Sequence, residues 1–88
     1  MIRWRIFETD HKERFLVGHC PEEGPGRIST ALVSIDIKTG QCVSSSGRHY
    51  KLVGPPGYDE DGQYIWDMWA QANEVAHYDD VTNALIQD

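Results

Sequence analysis

The four residues Gly54-Pro55-Pro56-Gly57 divide the chain into two regimes. Proline lacks a backbone N–H, so neither a helix interior nor a central strand passes through such a tetrad. One kind of structure must end before it and another begin after it. The hydrophobic pattern agrees: apolar residues recur with period two before the tetrad and with a helical period after it.

Before the tetrad the pattern predicts strands. Arg3 to Glu8 mixes aromatic and β-branched residues with arginines, and Arg14 to His19 follows after a polar connection, which suits a hairpin. Pro21 to Gly26 reads as a loop. Arg27 to Ile37 carries the clearest alternation, with Ala31, Val33, Ile35 and Ile37 on one face. Gln41 to Ser45 and Arg48 to Val53 complete the set, with Tyr50 and Leu52 on one side of the last strand. Short links favour antiparallel neighbours.

After the tetrad, Asp59, Glu60 and Asp61 are candidates for a helix N-cap and its first turn. At about 100° per residue, Ile65, Met68, Trp69, Ala72 and Ala76 fall on one stripe. That stripe is expected to face the sheet, with Gln63, Asp67, Ala70, Gln71 and Glu74 opposite and Trp66 at its border. Asp79 or Asp80 starts a second, short helix with Val81, Ala84 and Leu85 facing inward.

The expected fold class is therefore α+β: an antiparallel β-meander of about five strands packed against a C-terminal helix, with a second short helix at the C-terminus. The 88 residues suit one small globular domain, β-rich over 1–53 and helical over 58–88. An apolar fraction of 40% with three Trp, four Tyr and two Phe excludes a disordered chain. There is no run of about 18 apolar residues to span a membrane, and Met1 to Glu8 lacks the apolar core of a signal peptide. Cys20 and Cys42 are far apart and form no CxxC, as expected of free thiols. A cytoplasmic location follows as the expectation.

Charge is distributed as unevenly as structure. Residues 1–53 hold all eight Lys and Arg against six acids, whereas residues 54–88 hold eight acids and no base. Such asymmetry bears on partners rather than on fold. Helix capping accounts for Asp59 to Asp61 and for Asp79-Asp80. It does not account for Asp67 and Glu74, which with Gln71 and Trp66 form an unbalanced patch.

Motifs for chemistry are weak by comparison. Cys20, Cys42 and Ser44 to Ser46 are nucleophile types, and His11, His19, His49 and His77 are base types, but no nucleophile-elbow or cysteine-protease signature surrounds them. Ser44-Ser45-Ser46-Gly47 reads as a hairpin turn. His19, Cys20, Cys42 and His49 have zinc-binding chemistry, but neighbours on a strand point to opposite faces. Asp59-Glu60-Asp61-Gly62 begins like a calcium loop and then fails, since Met68 stands where a bidentate Glu is required. The glycine-proline loops match no phosphate cradle. Neither cofactor nor metal is expected.

The expectation is a non-enzymatic protein-binding module. Its acidic helical face, comprising Trp66, Asp67, Gln71, Glu74, Asp59, Glu60 and Asp61, would engage a partner with a basic surface. An inhibitor or accessory factor of a nucleic-acid-binding machine, of the anti-CRISPR or DNA-mimic type, is the concrete form. Homodimerisation through an edge strand or Trp66 is another geometry. The alternative is nucleic-acid binding through a sheet face carrying Arg3, Arg5, Arg48, Tyr50 and Lys51, against which the net charge of −6 weighs. A small enzyme pairing Cys or Ser with His is the second alternative.

Overall fold

The computed structural model describes residues 1–22 and 24–86. The order of elements is β1 (Ile2–Thr9), β2 (Arg14–Cys20), β3 (Gly24–Ile28), β4 (Leu32–Asp36), β5 (Gln41–Ser44), β6 (His49–Lys51), α1 (Glu60–Ala72), β7 (Tyr78–Asp80) and α2 (Thr82–Ile86). The fold class is α+β with antiparallel strands. The strands form two sheets rather than one meander: four strands in the order β3-β2-β1-β7, and three in the order β4-β5-β6.

The four-stranded sheet is buried on both faces, which produces three layers where two were expected. On one face, Trp4, Ile6 and Leu16 pack with Cys42 and Leu52 from the region of the small sheet, and with Val81 and Leu85 around α2. On the other, Phe7, Phe15 and Val17 pack with Trp66 and Ala70 of α1. The adjacent apolar residues Ile6-Phe7 and Phe15-Leu16-Val17 produce this, because neighbours on a strand point to opposite faces.

The expected long strand over Arg27 to Ile37 is broken. Ser29, Thr30 and Ala31 carry the chain from the large sheet to the small one. The buried Ser29 makes the crossing possible: its N–H donates to Leu16 O, and its Oγ accepts from Leu16 N, each at 2.9 Å. Beyond the crossing, a register shift between Leu32 and Ser34 puts one extra residue into β4. Val33 therefore lies 67% exposed, off the apolar face where alternation placed it.

The C-terminal part is not purely helical. After α1, Tyr78–Asp80 returns as β7 along β1, pairing Phe7 with Asp80 and Thr9 with Tyr78. Asp80 Oδ1 then accepts from Thr82 N at 3.0 Å and Thr82 Oγ1 at 2.5 Å, while Thr82 Oγ1 accepts from Ile6 N at 2.8 Å. Arg5 Nε donates to Asp80 Oδ2 at 2.7 Å. Burial works against ionisation of Asp80, but the bonds from Thr82 and Arg5 prevail and hold its carboxyl below the usual range.

Two glycines let α1 lie close against the sheet. A Cβ on Gly62 would sit 2.8 Å from Gly18 O, and one on Gly26 would sit 2.5 Å from the Asp61 carbonyl carbon. Both distances are shorter than a side-chain carbon tolerates.

Candidate functional site

Helix α1 is rotated roughly a quarter-turn from the orientation its apolar stripe suggests, at about 100° per residue. The buried positions are Gly62, Trp66 and Ala70, spaced by four. Trp66 is fully buried, not bordering the surface. Its ring lies 5.1 Å from Phe7, 5.6 Å from Phe15, 5.4 Å from Trp69 and 5.1 Å from Tyr78 between centroids. Small residues one turn on either side let this large ring reach the sheet. The pattern Gly62-x-x-x-Trp66-x-x-x-Ala70 was the available signal, and a count of large apolar residues passes over it.

The rotation turns most of the expected stripe outward. Tyr64 is 62% exposed and Met68 54% exposed, with Ile65 and Ala72 beside them. An apolar strip of Tyr64, Ile65, Met68 and Ala72 therefore runs along the exposed side of α1. Tyr64 and Met68 were not among the expected binding residues.

The acids divide into two groups around this strip. Asp59 belongs to the fold. It is buried as the N-cap of α1, where Oδ2 accepts from Gly62 N at 2.8 Å and Oδ1 accepts from Arg3 Nε at 3.0 Å. A partner cannot reach this carboxylate without breaking the cap, so Asp59 leaves the candidate surface together with Trp66. Glu60, Asp61, Asp67, Gln71 and Glu74 remain on it, all exposed. Asp67 Oδ1 accepts from Gln63 Nε2 at 2.9 Å. Among the described residues, no Lys or Arg forms an ion pair with Glu60, Asp61, Asp67 or Glu74.

Glu74 has an unusual backbone. It follows the C-cap Asn73 with φ of 56°, in the left-handed region that favours glycine. Glu74 N donates to Gln71 O at 3.3 Å and Val75 N to Ala70 O at 2.9 Å, the paired bonds of a Schellman ending. Glycine normally occupies this position. A carboxylate here is also at the negative end of the helix dipole, with no basic residue in the last turn.

The basic residues do not assemble into one platform. Arg3 and Arg5, on the large sheet, are engaged by Asp59 and Asp80. Arg48, Tyr50 and Lys51 lie along β6 and its approach in the small sheet, with the Arg48 guanidinium 5.3 Å from the Tyr50 ring centre.

Two of the nucleophile types, Cys42 and Ser44, are held structurally. Cys42 is fully buried, and burial pushes its thiol pKa up, away from the reactive thiolate. Ser44 Oγ lies 2.9 Å from Ser46 Oγ in the turn between β5 and β6, where Ser44 N donates to Arg48 O. Among the described residues, no three His, Cys, Asp or Glu side chains gather as metal ligands would, and no helix is long and apolar enough to cross a membrane.

Comparison with protein-family models, curated proteins and solved structures finds no match.

Proposed function

We propose that the protein is a non-enzymatic binding module that engages a basic protein surface through the outward face of α1. The contact would centre on Tyr64 and Met68, with Glu60, Asp61, Asp67, Gln71 and Glu74 around them. Aromatic and thioether side chains supply area that is readily desolvated, and the acids steer a positively charged partner toward it.

Glu74 carries the argument. It sits in a conformation unfavourable to any residue with a Cβ, and at the end of the helix where negative charge is disfavoured. The backbone serves the Schellman ending, but folding gains nothing from a carboxylate there. An acidic side chain kept where both the backbone and the helix dipole disfavour it points to a role outside folding. A basic surface of the kind that would match it is the footprint of a nucleic-acid-binding protein. The proposed class is therefore an inhibitor or accessory factor that occupies such a surface.

The test is affinity capture from the native host by the wild type, Asp67→Lys/Glu74→Lys and Arg48→Ala/Lys51→Ala. The expected result is a basic protein held by the wild type and the β6 variant and lost by the helix variant. Equal capture by all three would remove α1 from the interface.

A further inference from the structure

The segment Asn73 to His77 joins α1 to β7 and contains neither Gly nor Pro. The helical period of the sequence runs on past α1 to Ala76, and Glu and Ala are strong helix formers. The chain nevertheless leaves the helix at Glu74, with φ of 56°, where a Cβ is disfavoured. Local preference and tertiary structure disagree over this short connection.

The arm beyond it, β7 with α2, is attached to the rest of the molecule chiefly through one strand. β7 is an edge strand that pairs with β1 alone. Val81 N donates to Ile6 O at 2.9 Å, Ile6 N donates to Thr82 Oγ1 at 2.8 Å, and Arg5 is tied to Asp80. The Tyr78 ring lies 5.0 Å from that of Phe7 and 5.1 Å from that of Trp66. Val81 and Leu85 pack against the core that contains Ile6. A second copy presents the same β1, the same Trp66 and the same core, so it can receive the arm with each of these contacts intact.

From this arrangement we infer that the partner of β1 can be the arm of a second copy, and that the chain dimerises by exchanging β7 and α2. A short connection under strain favours such an exchange. In the dimer α1 continues as helix through Glu74, and β7 of each copy pairs with β1 of the other, which closes the contact about a two-fold axis. Straightening releases the left-handed backbone of Glu74 in both copies. It gives up the packing of Val75 against the cluster around Trp66 and the bond from Asp10 N to His77 O. Those losses, with the entropy of association, keep the monomer dominant in dilute solution. The exchange depends on the backbone of Glu74, not on its carboxylate, and does not need the outward face of α1 to bind a partner.

The test refolds the full chain from urea at high and at low protein concentration and measures mass by light scattering after gel filtration. The wild type is expected to yield a dimer fraction that grows with the concentration during refolding. Refolding a mixture of isotope-labelled and unlabelled chains then shows which copy supplies the arm. In the dimer fraction the nuclear Overhauser contact between Phe7 and Tyr78 should connect different copies. Glu74→Gly accepts the left-handed turn and disfavours a continuous helix, so its dimerisation constant should fall by more than about tenfold. Glu74→Ala keeps the Cβ and should dimerise at least as well as the wild type. Asp67→Lys, which alters the outward face of α1 but not the connection, should dimerise as the wild type does. The proposal is overturned if no dimer forms at high concentration, if the Phe7–Tyr78 contact stays within one copy, or if Glu74→Gly dimerises as well as the wild type. Loss of the dimer in Asp67→Lys would also overturn it, by assigning self-association to the outward face of α1.

Discussion

The two sides of α1 obey opposite rules. The inner side uses small residues and one large ring: Gly62, Trp66 and Ala70 are buried, and Asp59 at its head is tied to Gly62 and Arg3. The outer side exposes Tyr64, Ile65 and Met68 among acids that no base neutralises in the described residues. Acids two positions apart, Asp59 and Asp61, thus have different roles, one in the cap and one in solvent. Residue type alone does not separate them; the surroundings of each carboxylate do.

Substitutions on the two sides should differ most at the centre. Trp66→Ala should cost about 3–5 kcal/mol, as for other buried large aromatics. Tyr64→Ala should stay within about 0.5 kcal/mol. Urea unfolding of both variants checks this, and similar losses would erase the distinction between the faces.

Gly62→Ala sharpens it further because two effects oppose. Helix propensity alone would stabilise by roughly 0.5–1 kcal/mol. Overlap with Gly18 O should prevail and destabilise by about 1–3 kcal/mol. Asp59→Ala should lose about 1–2 kcal/mol with the cap, whereas Asp61→Ala should change little. A stabilised Gly62→Ala variant would show that α1 does not sit this close to the sheet.

Glu74→Gly should stabilise the fold by about 0.5–1 kcal/mol, since glycine accepts the left-handed backbone freely. On this account it also weakens partner binding. Stabilisation without loss of binding would detach Glu74 from the interface.

The smallest effect concerns pH. The Asp80 carboxyl titrates below its usual range in the folded state. Its contribution is therefore complete above the unfolded value, about 4, and is lost as pH falls through the lower folded value. Asp80→Asn should be less stable at neutral pH and show a shallower acid loss. An unchanged acid profile would mean that the Arg5–Asp80–Thr82 link contributes nothing to stability.

Much of the fold was legible because local signals were strong. The Gly54-Pro55-Pro56-Gly57 break, the first hairpin and the Asp59 cap each follow from residues close in sequence. The second sheet was less legible, since alternation from Ala31 to Ile37 reads as one strand with Arg27 and Ile28 although the chain changes sheets between them. The polar pair Ser29-Thr30 was the available cue. β7 was hidden because Tyr78-Asp79-Asp80 has no strand pattern, and its place comes from pairing with β1. At the candidate site, the exposed acids were legible from charge balance. The proposed anchors were not: Tyr64 and Met68 were hidden because Gly62 and Ala70, rather than the largest apolar residues, set which side of α1 turns inward.

The most direct test of the helix face is the dissociation constant of the captured complex at low and high salt, for the wild type and Asp67→Lys/Glu74→Lys. Reversing two charges beside Met68 should weaken binding by more than about tenfold at an ionic strength near 0.01 M, with the gap narrowing as salt rises. Equal affinity of the two proteins at low salt would contradict the assignment of α1 as the binding surface.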